Sequence, residues 1–130
     1  MKYVFAILLL LAFAGACAAQ VCGYSHAKLF VTDNNGTKLR DVKFAFFRKG
    51  TNDAILNPRE EVRWSDYLGA HQLRHGVCGE HRDVRLLIKA KGYETLERII
   101  DLPFNWPDRP AIYAFQLIRK TSRKSQKDGQ

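Results

Sequence analysis

Val84-Arg85-Leu86-Leu87-Ile88-Lys89-Ala90, followed by Lys91-Gly92-Tyr93 and the run to Ile100-Asp101-Leu102, decides the fold class. Val84, Leu86, Ile88 and Ala90 alternate with Arg85, Leu87 and Lys89, the period of a strand buried on one face. Lys91-Gly92-Tyr93 then turns the chain, and Leu96, Ile100 and Leu102 continue on one face with Arg98 as the exception.

Working outward, the same period recurs on both sides. Leu29 and Val31 alternate within residues 27–32, and Val42, Phe44 and Phe46 share a face opposite Lys43, Ala45 and Phe47. Between them Asp33-Asn34-Asn35-Gly36 carries Asn-Gly, a strong hairpin signal because both residues tolerate positive φ. Thr51-Asn52-Asp53 and Asn57-Pro58 are turn formers, and Ala54-Ile55-Leu56 between them reads as half a strand or a loop. Val62 and Trp64 alternate, and His71, Leu73 and His75 share a face if their segment is extended. The loop from Pro103 to Pro110 holds three prolines and is no central strand. Tyr113, Phe115 and Leu117 close the series. About seven short strands without an amphipathic helix predict an all-β, antiparallel Greek-key sandwich.

Two flanking segments fall outside that pattern. Residues 1–19 join one early lysine, an apolar run from Tyr3 to Ala14, and small residues around Cys17. This is the layout of a secretory signal, read as a signal helix ahead of the fold. Cleavage by a general signal peptidase would start the mature chain near Ala19 or Gln20. Alternatively, Ala14-Gly15-Ala16-Cys17 resembles a bacterial lipoprotein signal, which would lipidate Cys17 and anchor the domain outside a membrane. Residues 119–130 place Arg119, Lys120, Arg123, Lys124 and Lys127 among Ser, Thr, Gln and Gly, the composition of a disordered basic tail. Residues 20–118 are then the β-sandwich domain.

Export sets the cysteine chemistry. Of three cysteines, Cys17 is lost or lipidated, which leaves Cys22 and Cys78 to form one disulfide in an oxidising compartment. The chain carries 21 basic and 13 acidic residues, and that surplus suits an anionic partner.

Three motifs resemble carboxypeptidase regulatory-like domains, the transthyretin-like (prealbumin-like) β-sandwiches. Residues 30–44, with Asp33-Asn34-Asn35-Gly36 before Val42-Lys43-Phe44, are similar to the family's opening hairpin. Ser65-Asp66-Tyr67-Leu68-Gly69-Ala70-His71-Gln72-Leu73 looks like its Thr-Asp-x-x-Gly-x-aromatic-x-Leu segment, with His71 in place of the aromatic. Ala90-Lys91-Gly92-Tyr93 resembles its Ala-x-Gly-Tyr turn. The resemblance implies a transthyretin-like or Ig-like sandwich serving as a non-catalytic accessory module, and it transfers no active-site residue.

Several residues carry candidate chemistry. His71, His75 and His81 lie near Glu80 and Asp83, and imidazoles are common zinc and copper ligands. No established zinc spacing is present, so solvent-facing or turn histidines are the expectation. Ser65, Asp66 and His71 contain the residue types of a hydrolytic site but no Gly-x-Ser-x-Gly elbow. Arg82, Arg85, Lys89, Lys91 and the tail offer contacts to an anionic partner, and Tyr24, Trp64 and Trp106 offer stacking surfaces. Asn35-Gly36-Thr37 fits a glycosylation acceptor.

The expected function is an exported, non-enzymatic binding or structural module of the cell envelope or extracellular space, secreted or periplasmic. Its expected partner is a protein, a glycan or an anionic envelope component rather than nucleic acid, with no cofactor and membrane contact only through Cys17. The first alternative is a metal-binding or hydrolytic protein using His71, His75 and Glu80. The second is a small-ligand carrier, which would require an oligomer with a channel at its interface.

Overall fold

The computed structural model describes residues 21–121. The signal segment 1–19, Cys17, and the tail cations Arg123, Lys124 and Lys127 lie outside the described residues.

Among the described residues seven strands form two sheets. They are β1 (Cys22–Thr32), β2 (Lys43–Arg48), β3 (Val62–Ser65), β4 (Ala70–Cys78), β5 (His81–Lys89), β6 (Leu96–Leu102) and β7 (Ala111–Gln116). One sheet runs β3-β4-β1-β7 and the other β2-β5-β6. A four-residue helix, α1 (Pro58–Glu61), precedes β3; Asn57 caps it by accepting the Arg59 N–H, as an N-cap amide does.

The alternating residues meet between the sheets. Leu29 and Val31 of β1, Phe44 and Phe46 of β2, and Leu73 of β4 are buried against Val84, Leu86 and Ile88 of β5, with Ile100 and Leu102 of β6 completing the core. Leu117, just after β7, and Leu56, from the ambiguous 54–56 stretch, join them. Cys22 and Cys78 are bonded and are direct partners in the β1–β4 ladder. At a sequence separation of 56, the cross-link removes about 4 kcal/mol of unfolded-chain freedom on the entropy model.

Two expectations about connectivity change. The Asp33–Gly36 turn forms: Asp33 Oδ1 accepts the N–H groups of Asn35 and Thr37, and the Gly36 N–H bonds the Asp33 carbonyl. Yet it does not join paired strands. After one bridge, Thr32 to Lys38, the chain crosses to β2 in the opposite sheet. Turn chemistry acts over four residues, whereas partner choice is set by where the apolar faces are buried.

The sandwich is also not wholly antiparallel, because β1 and β7 pair in parallel with Ala27 opposite Ala111. The Pro103–Pro110 loop explains the direction. Asn105 donates its N–H to the Tyr24 carbonyl, and its side chain accepts from the His26 N–H and donates to the His26 carbonyl. The loop therefore occupies the edge of early β1 as a short surrogate strand. β7 can begin only beside Ala27, and from there it runs alongside β1.

Candidate functional site

Two regions of the described chain combine an opening or orphaned polar atoms with a concentration of functional side chains. The first is cationic. A groove of about 660 Å³ is lined by Arg40, Asp41 and Lys43 from the approach to β2, by Lys89 and Lys91 at the end of β5, and by Tyr93 and Lys120. Five cations face one carboxylate there.

The geometry of this groove follows from the turn between β5 and β6. Gly92 takes φ +85, a conformation that costs an L side chain but not glycine. The turn then catches the root of the basic segment: Lys120 donates its N–H to the Gly92 carbonyl, Glu94 donates to the Ile118 carbonyl, and Tyr93 bridges Arg119. Arg119 also lies over the Tyr93 ring at 5.8 Å. Lys120 is thereby held beside Lys91.

Within the groove, Lys43 and Lys89 are direct cross-strand partners on the exposed face. Like charges placed so oppose folding. Elsewhere on this face the pairs are favourable: Arg85 lies over Phe47 at 4.7 Å and meets Glu97 at 3.7 Å. None of the groove cations forms an ion pair within 4 Å among the described residues.

The second region holds histidines, and it differs from the sequence expectation. His71 and His75 do share a face, but it is the inner one, and each is only 5% exposed. They are not solvent-facing. His71 donates from Nε2 to the Leu39 carbonyl and packs edge-on against Phe44 and Trp64, with ring centroids 4.8 and 4.9 Å away. Burial lowers its pKa, partly offset by that backbone bond. It is separate from the other two imidazoles.

His75 and His81 come together, with ring centroids 5.2 Å apart and planes inclined by 28°. Alternation counted back from Val84 would turn Arg82 inward and His81 outward. A register shift between His81 and Val84, with Asp83 at φ +54, reverses that phase. Such a bulge re-aims the side chains beyond it, and His81 faces its neighbour Leu102 on the inner side. The carboxylate present is Glu61 of α1, whose Oε2 accepts from His75 Nδ1 at 2.9 Å. Glu80 instead faces Arg82 at 3.8 Å on the surface.

The hydrolytic candidates do not assemble. Ser65 Oγ accepts the Leu68 N–H and Asp66 Oδ1 accepts the Trp64 indole N–H, which shape the turn before β4. With His71 bonded to Leu39, no nucleophile–base pair is formed by these three.

A further groove of about 630 Å³ crosses the outer face of the four-stranded sheet between α1 and the proline loop. Its floor mixes Lys28, Arg63 and Arg74 with Glu60 and Glu61 at the wall, so its charge is largely internally balanced. Trp106 is 75% exposed on the adjoining loop.

Comparison with family models, curated proteins and solved structures returns no match to this chain.

Proposed function

We propose that this chain is an exported, non-enzymatic binding module whose partner is an acidic polysaccharide, held in the groove between the start of β2, the β5–β6 turn and Lys120. One observation carries the reading: Lys43 stands directly opposite Lys89, with Lys91 and Lys120 alongside and no compensating ion pair among the described residues. An arrangement that opposes folding where a neutral or acidic residue would serve is the mark of a site kept for binding.

The form of the groove favours a flexible polyanion over a small ligand. Lysine ammonium groups are point charges on long stems and read charge density rather than a fixed outline. The opening is shallow and bordered by five cationic side chains, unlike the enclosing pocket of a carrier. The disulfide supports placement outside a reducing cytoplasm, and the carboxypeptidase regulatory-like resemblance, supported by motif order and the two-sheet architecture, belongs to the same proposal.

Retention of the oxidised protein on a sulfated-polysaccharide matrix tests this reading. Elution should require elevated salt, and Lys91→Gln with Lys120→Gln should lower the eluting salt concentration, as should removal of residues 119–130. Retention unchanged by both alterations refutes the assignment.

A further inference from the structure

His75 and His81 remain unexplained by anion binding. Each has its Nε2 buried and without a hydrogen-bond partner, an arrangement that natural interiors rarely tolerate. We propose that the two Nε2 atoms form a two-imidazole site for zinc or copper, with water or an exogenous donor supplying the remaining positions.

The geometry is suited to that task in three respects. Glu61 accepts from His75 Nδ1, the arrangement that in a neutral ring leaves Nε2 as the ligating nitrogen. A carboxylate behind an imidazole is the usual orienting partner of a metal-bound histidine. Two imidazoles on one tetrahedral metal, with nitrogens ~2.0–2.1 Å from it, hold their ring centroids roughly 5 Å apart; here they are 5.2 Å apart. The bulge at Asp83 is what turns His81 inward.

The charge surroundings set the expected strength. Arg48 and His75 lie close enough to His81 to act on its charge, alongside the effect of burial. Arg48 opposes a bound cation and Glu61 favours it. Among the described residues no third His, Cys, Asp or Glu converges on the pair. A two-ligand site of this kind should bind in the micromolar range, well short of a four-ligand structural centre.

Cobalt(II) titration of the oxidised protein, followed by zinc competition, provides the test. The expected result is one equivalent bound with visible ligand-field bands, displaced by zinc, and lost in His75→Gln and in His81→Gln. Glu61→Gln should weaken binding by about tenfold, and His71→Gln should leave it unchanged. Because the inward variants can fail to fold, imidazole ¹⁵N shifts of the wild-type protein give a second reading: zinc should move the Nε2 signals of His75 and His81 and not those of His71. No cobalt or zinc bound at 100-fold above the micromolar range, or ¹⁵N shifts confined to other histidines, overturns the proposal. The outcome is independent of polysaccharide retention, so either reading can fail alone.

Discussion

Replacing Lys89 with Glu should make the fold more stable and the binding weaker. Lys89 and Lys43 are direct partners across β5 and β2, both exposed, so the substitution turns a like-charge pair into an opposite-charge pair. Cross-strand pairs contribute roughly 0.2–1 kcal/mol in either direction. Solvent screening keeps exposed pairs toward the low end, which leaves a net gain of about 0.5–1 kcal/mol. For a domain near 100 residues that corresponds to a rise in Tm of roughly 2–6 °C. The groove's five cations and one carboxylate give it a net charge of +4, which the substitution halves to +2. Salt-gradient elution from the acidic matrix should then fall well below that of Arg109→Glu, an equal change in charge on the proline loop. Differential scanning calorimetry at low and high salt measures the other half, and the gain in Tm should shrink as salt screens the pair. A lower Tm at low salt would show that Lys43 and Lys89 do not repel each other. Elution matching the Arg109→Glu control would show that the groove is not the contact surface.

Other consequences are equally open to measurement. Asn105→Ala removes the two side-chain contacts to β1, leaving the half-buried N–H and carbonyl of His26 short of partners, and should cost about 1–3 kcal/mol in urea unfolding; hydrogen exchange at the His26 amide should rise by the same free energy, and unaltered exchange would show that the loop is not held there. Reduction of Cys22–Cys78, or Cys78→Ala, should destabilise the domain by about 2–4 kcal/mol, read as a drop in the urea midpoint; an unchanged midpoint would contradict the cross-link's role. Acidification should also destabilise it. Burial depresses the folded pKa of both His71 and His81 below 6.5, so between those values and 6.5 the unfolded chain binds more protons. Stability is therefore present above pH 6.5 and lost as pH falls toward the folded values. An NMR titration placing the His71 midpoint at or above 6.5 would reverse that sign.

Most of the strand pattern was legible because burial on one face imposes a period of two. Leu29/Val31, Phe44/Phe46, Val84/Leu86/Ile88 and Ile100/Leu102 are core residues for that reason. What alternation cannot carry is direction. A strand reads the same beside a parallel or an antiparallel neighbour, so nothing in Tyr113-Ala114-Phe115 announces that β7 runs with β1; that information lies in Asn105, seventy-nine positions from His26. The histidines were legible as a shared face but not as a buried one, since imidazole patterns like a polar residue. A bulge at Asp83 takes His81 out of phase with the strand that follows it, and alternation carries no sign of a bulge. Glu61 escaped notice because its meeting with His75 depends on a four-residue helix, too short to leave a periodicity. Within the cationic groove, Lys89 and Lys91 were recognisable individually. Their grouping with Lys43 and Lys120 required the β2–β5 register and the turn that catches Lys120.

The parallel partnership of β1 and β7 has a consequence for how the molecule is made. β1 lies inside its sheet, and one of its edges is covered by β7, the last strand among the described residues. During synthesis at ~5–20 residues per second, that edge stays uncovered for several seconds after β1 has emerged. Any chain ending before β7 leaves it uncovered permanently. Such an edge is a template for pairing with another copy. Incomplete chains should therefore aggregate, and a segment or chaperone that keeps β1 apart until the C-terminal strand arrives would protect the full-length protein.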